Sequence, residues 1–298
     1  MQEVKSLWHR AFGDTKRYMD YYFAQKAPAS RLYTDYEGVE LASMMFFTPY
    51  EICFRGKLMT AEYIVGVATE EKYRRQGRMA HLMKQAIEME HERGIDWVFL
   101  CPENPAVYDS LGFIPTYWRE TTYYEADEEW DVREFQVMNW GRLEQKEKEN
   151  VCFFVEAMLR NEEFDIYMHH SLPYMEAVNK ELKALEGEIY VVKRKGSIVA
   201  TVNVIREENQ HQITELVCSR QFGREVLEAI VRRLDTPYVV VDDSYFLDEL
   251  EGKGVNRVLQ KKPYIMARYT SHQTFEPLLC YINAVSYTHL RAHETEAD

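Results

Sequence analysis

Residues 63–101 contain the feature that most constrains the fold: a strand-like run, a basic turn, an amphipathic helix and a second apolar run. The first run is YIVGVAT (63–69) and the second is IDWVFLC (95–101). Between them, apolar residues at spacings of three and four predict one buried helix face, formed by Met79, Leu82, Met83, Ala86 and Ile87. Gly94 is typical of a helix C-terminus. Because a strand–helix–strand unit is parallel and right-handed by default, the sequence predicts an α/β fold.

Residues 1–69 predict helices followed by antiparallel strands. Apolar residues at helical spacing over roughly 2–11 and 14–25 predict two N-terminal amphipathic helices. The stretch 31–69 then contains strand-forming runs separated by turn signals near 36–38, 48–49 and 55–57. We therefore expect three or four antiparallel strands, the last of which ends at YIVGVAT.

The second half of the chain repeats this order in a weaker form. GEIYVVKRKGSIVATVNVIREE (187–208) predicts a hairpin, and 213–218 predicts a further strand. A helix over 223–234 and a strand over 237–243 follow. A charged stretch from about 124 to 150 lies between the halves and is interpreted as a linker. The sequence thus predicts an α/β protein of two tandem domains.

The composition argues against several classes of protein. The formal net charge of −13 disfavours broad nucleic-acid binding, which needs a basic face. No apolar run approaches the ~18 residues of a membrane helix, and the N-terminus lacks the apolar core of a signal peptide. We therefore expect a cytoplasmic protein without nucleic-acid or membrane partners. Self-association into a homo-oligomer is left open.

Cysteine and histidine spacing argues against a metal site. The five cysteines are odd in number, widely spaced and without a CxxC pair, which also argues against a disulfide framework. His169 and His170 have no carboxylate or histidine at ligand spacing, so they are interpreted as a surface pair. No metal cofactor is predicted.

The turn YRRQGRMA (73–80) places three arginines, a glycine and no acid at the start of the predicted helix. A helix N-terminus presents unpaired N–H groups and partial positive charge, which suit an anion such as phosphate. The alternative is a solvated helix cap, but arginines at this end oppose the helix dipole. Neither GxxxxGK(S/T) nor GxGxxG occurs, which excludes a Walker loop and a Rossmann fingerprint. The turn thus predicts a phosphate site of another kind.

This turn resembles the acyl-CoA loop of the GNAT superfamily of acetyltransferases, Q/R-x-x-G-x-G/A. The pattern is matched by Arg74, Arg75, Gln76, Gly77 and Arg78. Met79 stands where the family prefers a small residue, and Ala80 follows it. Downstream, VYDSLGF (107–113) resembles the family's Y-x-x-x-G-F motif. Within the superfamily, VATEEKYRRQG looks most like the tandem "enhanced intracellular survival" type. The resemblance is strongest over 58–115 and looser elsewhere.

The resemblance implies acetyl-CoA-dependent N-acetyltransfer, in which a primary amine attacks the thioester directly. The acceptor would be an amine-bearing small molecule or a lysine side chain. Tyr108 would be the general acid that protonates the CoA thiolate, because a phenol and a thiolate leaving group have similar basicity. The implied acetyl-CoA contacts are Val67, Ala68, Thr69, Arg74, Arg75, Gln76, Gly77, Arg78, Met79, Ala80, Glu103 and Asn104.

The resemblance also implies a domain order. A catalytic GNAT domain would span 1–135, a degenerate GNAT-like domain 150–265, and the start of a truncated sterol-carrier-like domain 266–284. In the second domain, Arg220–Arg224 lacks the doubled arginine and is interpreted as a vestigial copy of the loop. Residues 285–298 resemble a translated sequencing-adaptor read-through and are interpreted as non-native. The alternative function is a non-catalytic CoA-binding or scaffold module.

Overall fold

Two α/β units make up the protein in a computed structural model that describes residues 1–127, 129–162, 164–207, 210–242, 255–271 and 280–281. The first unit comprises Met1–Trp118, Asp165–Met168 and the described residues from Pro263 onward. The second comprises Arg119–Phe164 and His169–Lys262. Two tandem α/β units confirm the predicted fold class, although the division falls at different residues from those expected.

The elements of the first 125 residues follow the predicted order. They are α1 (Gln2–Phe12), α2 (Lys16–Tyr21), β1 (Arg31–Glu37), β2 (Glu40–Phe54), β3 (Lys57–Thr69), α3 (Arg78–Glu92), β4 (Trp97–Leu100), α4 (Pro105–Asp109) and β5 (Ile114–Glu125). After α2, the chain continues as a π-helical turn over Tyr22–Lys26. The apolar face predicted for α3 is buried, which confirms the helical periodicity.

The second half contains the predicted hairpin and strand–helix–strand, together with further elements. These are β6 (Phe135–Asn139), α5 (Gln145–Asn161), β7 (Ile166–Met168), α6 (Leu172–Ala184), β8 (Glu188–Arg194), β9 (Ser197–Glu207), β10 (Gln210–Cys218), α7 (Gly223–Leu234), β11 (Tyr238–Val241), β12 (Val255–Tyr269) and β13 (Cys280–Tyr281). β6 lies inside the stretch interpreted as a linker. It is instead a strand, because its residues pair antiparallel with β8.

In the first unit, β1, β2 and β3 form the predicted antiparallel meander, and β3 runs parallel to β4. The strand order around them is β13, β7, β2, β3, β4, β12. Residues 266–269 of β12 pair antiparallel with β4, so they complete this sheet. That range was expected to begin a third domain, whereas its described residues belong to the first unit. The tail 285–298 lies outside the described residues.

In the second unit, the strand order is the end of β5, then β11, β10, β9, β8 and β6. β10 and β11 are parallel, and α7 lies between them in the chain, as the repeat predicted. The turn at Arg194–Gly196 joins β8 to β9. The second unit therefore contains the same strand–helix–strand unit as the first.

The predicted turn at Thr48 and Pro49 is wrong, because β2 runs straight through it. Pro49 pairs with Glu62 on β3. On the other side of β2, pairing with β1 ends at Phe47 and pairing with β7 starts at Ile52. Proline is tolerated in a strand where its missing N–H is not needed, and this gap between neighbouring strands meets that condition.

A bulge in β3 is fixed by the contact between Gly66 and Trp8. Val65 pairs with Phe46 and Ala68 pairs with Met44, so two residues of β3 lie opposite one residue of β2. Gly66 has a φ of 65°, and a Cβ built there would lie 2.2 Å from Trp8 Cζ3. The Trp8 indole is fully buried and thereby seats α1 on the bulge.

We expect Gly66→Ala to destabilise the first unit more than Gly38→Ala. Gly38 also has a positive φ, 60°, but a Cβ there meets nothing within 4 Å, so this variant isolates the backbone cost. Overpacking against Trp8 should add about 1–3 kcal/mol for Gly66→Ala. Urea unfolding of both variants measures the difference in free energy. Equal losses for both would contradict the proposed contact.

A buried ionic cluster joins β1, β3 and α3 on the side of the sheet that carries α3. Arg31 bonds Glu62, and its Nε donates to Glu90 Oε1 at 2.6 Å. Tyr33 donates to the same Glu90 oxygen at 2.5 Å, and Arg93 contacts both Tyr33 and Glu90. Burial, joined by the nearby Glu90 carboxylate and opposed by Arg31, raises the pKa of Glu62 from 4.5 to about 7.

This pKa predicts a specific pH dependence of stability. Because folded Glu62 binds its proton more tightly than the unfolded chain does, the free energy of unfolding should fall as pH rises from 4.5 to about 7. Glu62→Gln should remove this contribution, whereas Glu51→Gln, at an exposed carboxyl of β2, should keep it. Urea unfolding across this pH range measures the slopes. A Glu62→Gln slope equal to that of the wild type would show that Glu62 does not titrate there.

Candidate functional site

β3 extends beyond its parallel neighbour at one edge of the first unit's sheet. Glu62–Ile64 pair with Val98–Leu100, where β4 ends, whereas β3 continues to Thr69. On the β4 side, the backbone of Val67–Thr69 therefore lies beyond the last residue of β4. Ala68 and Thr69 are buried and Val67 is half-buried. The extended end of β3 offers backbone hydrogen-bonding groups to an elongated ligand.

The basic turn follows this end of β3 and opens α3. Arg75 and Gly77 have φ values of 58° and 73°, so the backbone is left-handed on both sides of Gln76. The first hydrogen bond of the helix runs from His81 N to the Gly77 carbonyl at 2.9 Å. The N–H groups of Arg78, Met79 and Ala80 consequently precede the helical ladder, and no acid lies in the first turn. This is the geometry of an anion site.

The side chains of the turn point in different directions. Arg74 Nε donates to the Thr69 carbonyl at 3.2 Å, and Gln76 donates to the Lys72 carbonyl at 3.2 Å. Met79 is buried in the core of the first unit. Arg75 is exposed at the surface of the turn.

Arg78 lies elsewhere than the sequence suggested. Its Nη1 donates to Asp35 at 2.8 Å and its Nη2 to Glu37, both on β1. Two carboxylates thus surround the guanidinium of a residue that the resemblance implied as an acetyl-CoA contact. The group of Arg78 that can face an anion is its backbone N–H, at the start of α3.

The Y-x-x-x-G-F motif forms a compact turn after β4. Tyr108 lies on α4, is buried, and packs edge-to-face on Phe113 with ring centroids 5.8 Å apart. Its carbonyl accepts from the N–H groups of Leu111 and Phe113, at 3.0 and 3.2 Å. Gly112 has a φ of 79°, which the glycine of the motif allows. The motif therefore fixes the position of Tyr108 at the edge of the sheet where β3 and β4 end.

The two residues before α4 lie at the same edge. Asn104 is the helix N-cap, and its side chain accepts from Ala106 N at 3.2 Å. Glu103 is exposed. The turn 70–80 and the loop before α4 follow neighbouring parallel strands, which is where α/β sheets commonly bind ligands.

Comparison with known proteins identifies the family of the domain that makes up most of the first unit. Residues 1–116 match a family model described as an acetyltransferase (GNAT) domain. Residues 1–116 form a GNAT acetyltransferase domain. The match contains the extended end of β3, the basic turn and Tyr108, so it confirms the family that the motifs predicted. No protein of curated function matches the chain in sequence.

Solved structures extend the likeness of fold over the GNAT domain and the second unit. A protein from Enterococcus faecalis V583, described as a probable N-acyltransferase, shares 17% identity with a TM-score of 0.73, over 92% of this chain and 71% of that one. Eis1 from Mycobacterium abscessus shares 10% identity with a TM-score of 0.59, over 90% and 70%. A tandem GNAT protein from the clavulanic acid biosynthesis pathway shares 10% identity with a TM-score of 0.59, over 91% and 96%. At these identities the TM-scores show a common fold and no more.

Three features around the GNAT site were not found from the sequence. Gly66 interrupts an apolar strand, and this pattern is typical of a bulge, so it could have been noticed. The acids Asp35 and Glu37 lie more than 40 residues from their partner Arg78, and no local pattern connects them. Arg268, from the far end of the chain, bonds the Leu111 carbonyl beside the Tyr108 turn.

The second unit has related strands but differently paired arginines. Arg220 donates twice to Glu162, at 2.9 and 3.3 Å. Arg224 donates to Asp127 at 2.7 Å and stacks on Trp130, 3.8 Å from its ring centroid. Acidic side chains of the same unit thus hold both arginines.

The interpretation of His169 and His170 as a surface pair is wrong for His170, which is 1% exposed. Its Nε2 lies 3.3 Å from Glu215 Oε1, and Asn203 donates to the other oxygen of Glu215 at 2.7 Å. Among the described residues, no group of three or more histidine, cysteine or acidic side chains could hold a metal ion. No described helix combines the length and apolarity needed to cross a membrane.

Proposed function

We propose that the protein transfers an acetyl group from acetyl-CoA to a primary amine, and that residues 67–80 and Tyr108 form the site. The observation that carries this proposal is the position of the acid-free N-terminus of α3 directly after the extended end of β3. One ligand with phosphates at one end and an amide-bearing arm at the other would meet both features. Acetyl-CoA has this chemistry, and the GNAT match supports the choice.

The phosphates would be held by the start of α3. The N–H groups of Arg78, Met79 and Ala80 and the positive end of the helix dipole favour an anion there. Arg75, exposed on the left-handed turn, can add a forked donor pair. Arg74 lies against the Thr69 carbonyl and brings positive charge to the junction with β3. Gly77 lets the phosphates approach the backbone closely.

The pantetheine arm would lie along Val67–Thr69. Its amides can pair with the backbone that extends beyond β4, as a short added strand does. A backbone N–H at the bulge would then polarise the thioester carbonyl. Glu103 and Asn104 lie in the loop at the same edge and would border the arm.

The reaction would be a direct displacement. A neutral amine attacks the thioester carbon, the C–S bond breaks, and the CoA sulfur takes a proton from the Tyr108 hydroxyl. The surplus proton on the nitrogen passes to water, and the Tyr108 phenolate regains a proton from water. The acceptor class that fits is an amine-bearing small molecule or a lysine side chain, because a net charge of −13 attracts cations.

The phosphate site predicts the behaviour of two variants at Gly77. A Cβ there meets nothing within 4 Å, so Asp and Asn both fit, and Asn tolerates the left-handed backbone as Asp does. Gly77→Asp adds a negative charge at the helix N-terminus and should abolish acetyl-CoA binding, whereas Gly77→Asn should retain much of it. Isothermal titration of acetyl-CoA measures both. No binding to folded wild-type protein would overturn the proposed function.

The role of Tyr108 predicts a separation of turnover from binding. Tyr108→Phe keeps the ring contact with Phe113 but removes the proton donor, so turnover should fall by roughly a hundredfold or more. Affinity for acetyl-CoA should change little. CoA release with a panel of primary amines and a lysine peptide measures turnover, and Tyr190→Phe in the second unit is the matched control. Binding of acetyl-CoA without turnover on any amine would instead support a non-catalytic CoA-binding module.

A further inference from the structure

Side-chain contacts at both ends of the basic turn connect it to the hairpin formed by β1 and β2. Before the turn, Lys72 bonds Glu40 at the start of β2, and the Tyr73 hydroxyl donates to the same carboxylate at 2.6 Å. After the turn, Arg78 bonds Asp35 and Glu37 on β1. The four residues between these anchors carry the two left-handed conformations, at Arg75 and Gly77.

The anchors also contact one another through the Tyr73 ring. The Lys72 ammonium lies 5.0 Å from the ring centroid and the Arg78 guanidinium 5.2 Å from it. Glu40, Tyr73, Arg78 and Glu37 thus form a chain of contacts that leaves the hairpin, crosses the base of the turn and returns to the hairpin. The Arg78 side chain is 20% exposed within this arrangement.

Backbone hydrogen bonds flank the turn on both sides. Tyr73 N and Arg74 N donate to the carbonyls of Glu70 and Glu71, and His81 N donates to the Gly77 carbonyl. A non-glycine residue in the left-handed region, such as Arg75, costs roughly 1–2 kcal/mol and persists only when its surroundings hold it. The side-chain anchors on both sides of Arg75 contribute to that restraint.

We propose that Asp35, Glu37 and Glu40 are positioning residues for the phosphate-binding turn, and that the Arg78 guanidinium is a tether to β1 rather than a phosphate ligand. The proposal rests on the function proposed above. The three acids fix the relative position of the two ends of the turn, so that the first N–H groups of α3 converge on the anion. Lys72 and Arg78 offset two of these three negative charges and so reduce their repulsion of phosphate.

Neutralising the acids distinguishes this proposal from the alternative that the Arg78 guanidinium binds phosphate. If Arg78 were a phosphate ligand, its carboxylate partners would compete with phosphate, and neutralising them would tighten binding. If Arg78 is a tether, neutralising them releases the turn and weakens binding, even though the region becomes more positive. The two assignments therefore predict opposite signs for the same substitution.

The test is isothermal titration of acetyl-CoA into Asp35→Asn/Glu37→Gln. We expect the Kd to rise about tenfold. A change of this size corresponds to the loss of about one hydrogen bond that holds the turn in its binding conformation. The KM for acetyl-CoA should rise with the Kd while kcat stays near the wild-type value, because Tyr108 is untouched. A general loss of structure would lower both kcat and the unfolding midpoint and would contradict the positioning role.

The matched control is Asp131→Asn/Glu134→Gln in the second unit. It also removes two negative charges, from exposed carboxylates that pair with the basic residues Arg133 and Arg194. Its Kd should equal that of the wild type. An unchanged or lower Kd for Asp35→Asn/Glu37→Gln would overturn the proposal and leave acetyl-CoA binding by the wild type intact. No binding by the wild type would instead overturn the proposed function itself.

Discussion

The contact between the Trp8 indole and the backbone of Gly66 is the constraint on which the candidate site depends. It requires a residue without a side chain at a left-handed position inside a buried strand, and only glycine meets both conditions. The same contact seats α1 on the sheet and bends β3 away from the regular ladder with β2. Because β4 ends where the bulge begins, no strand in the described part of the chain runs parallel beside the bent end of β3. The contact thus fixes the bend of β3 at the place where the candidate site begins.

Local charge balance explains how an acidic chain can contain an anion site. Acids outnumber bases by 13 over the whole sequence, yet the first turn of α3 contains none. Asp35, Glu37 and Glu40, on the β1–β2 hairpin, are paired with Lys72 and Arg78. Such pairs near the surface contribute little to stability. Besides restraining the turn, they act on the local potential, because Lys72 and Arg78 offset two of the three negative charges and the N-terminus of α3 adds positive potential.

The sequence predicted the features that are encoded locally. The helix over 78–92 and the hairpin turns at 38, 56 and 196 follow from the spacing of apolar residues and from glycines, which act within a few positions. β6 and β12 were missed because a strand's membership in a sheet depends on distant partners: β6 pairs with β8, and β12 pairs with β4. His170 was misassigned for the same reason, since its partner Glu215 is 45 residues away. Within the site, the motifs located the turn and Tyr108, whereas the acids that hold Arg78 could not be found from any local pattern.

The second unit shows that the strand geometry alone does not make the site. β10 is bulged at Thr214 and extends beyond β11, as β3 extends beyond β4. Here, however, the buried Arg119 donates to the Thr214 carbonyl at 3.2 Å and to Asp242, which directly follows β11. Asp242 N in turn donates to the Ile213 carbonyl at 2.9 Å, where the two strands separate. A buried arginine, an aspartate and backbone thus occupy the end of β10, whereas at the end of β3 the Ala68 and Thr69 carbonyls accept from Ser43 Oγ and from the half-buried Arg74. A buried Arg–Asp pair is costly to break, since either charge left alone would be unpaired and desolvated. Binding of an elongated ligand at the end of β10 would require that loss, so the same strand geometry is a closed core in the second unit and the proposed ligand site in the first.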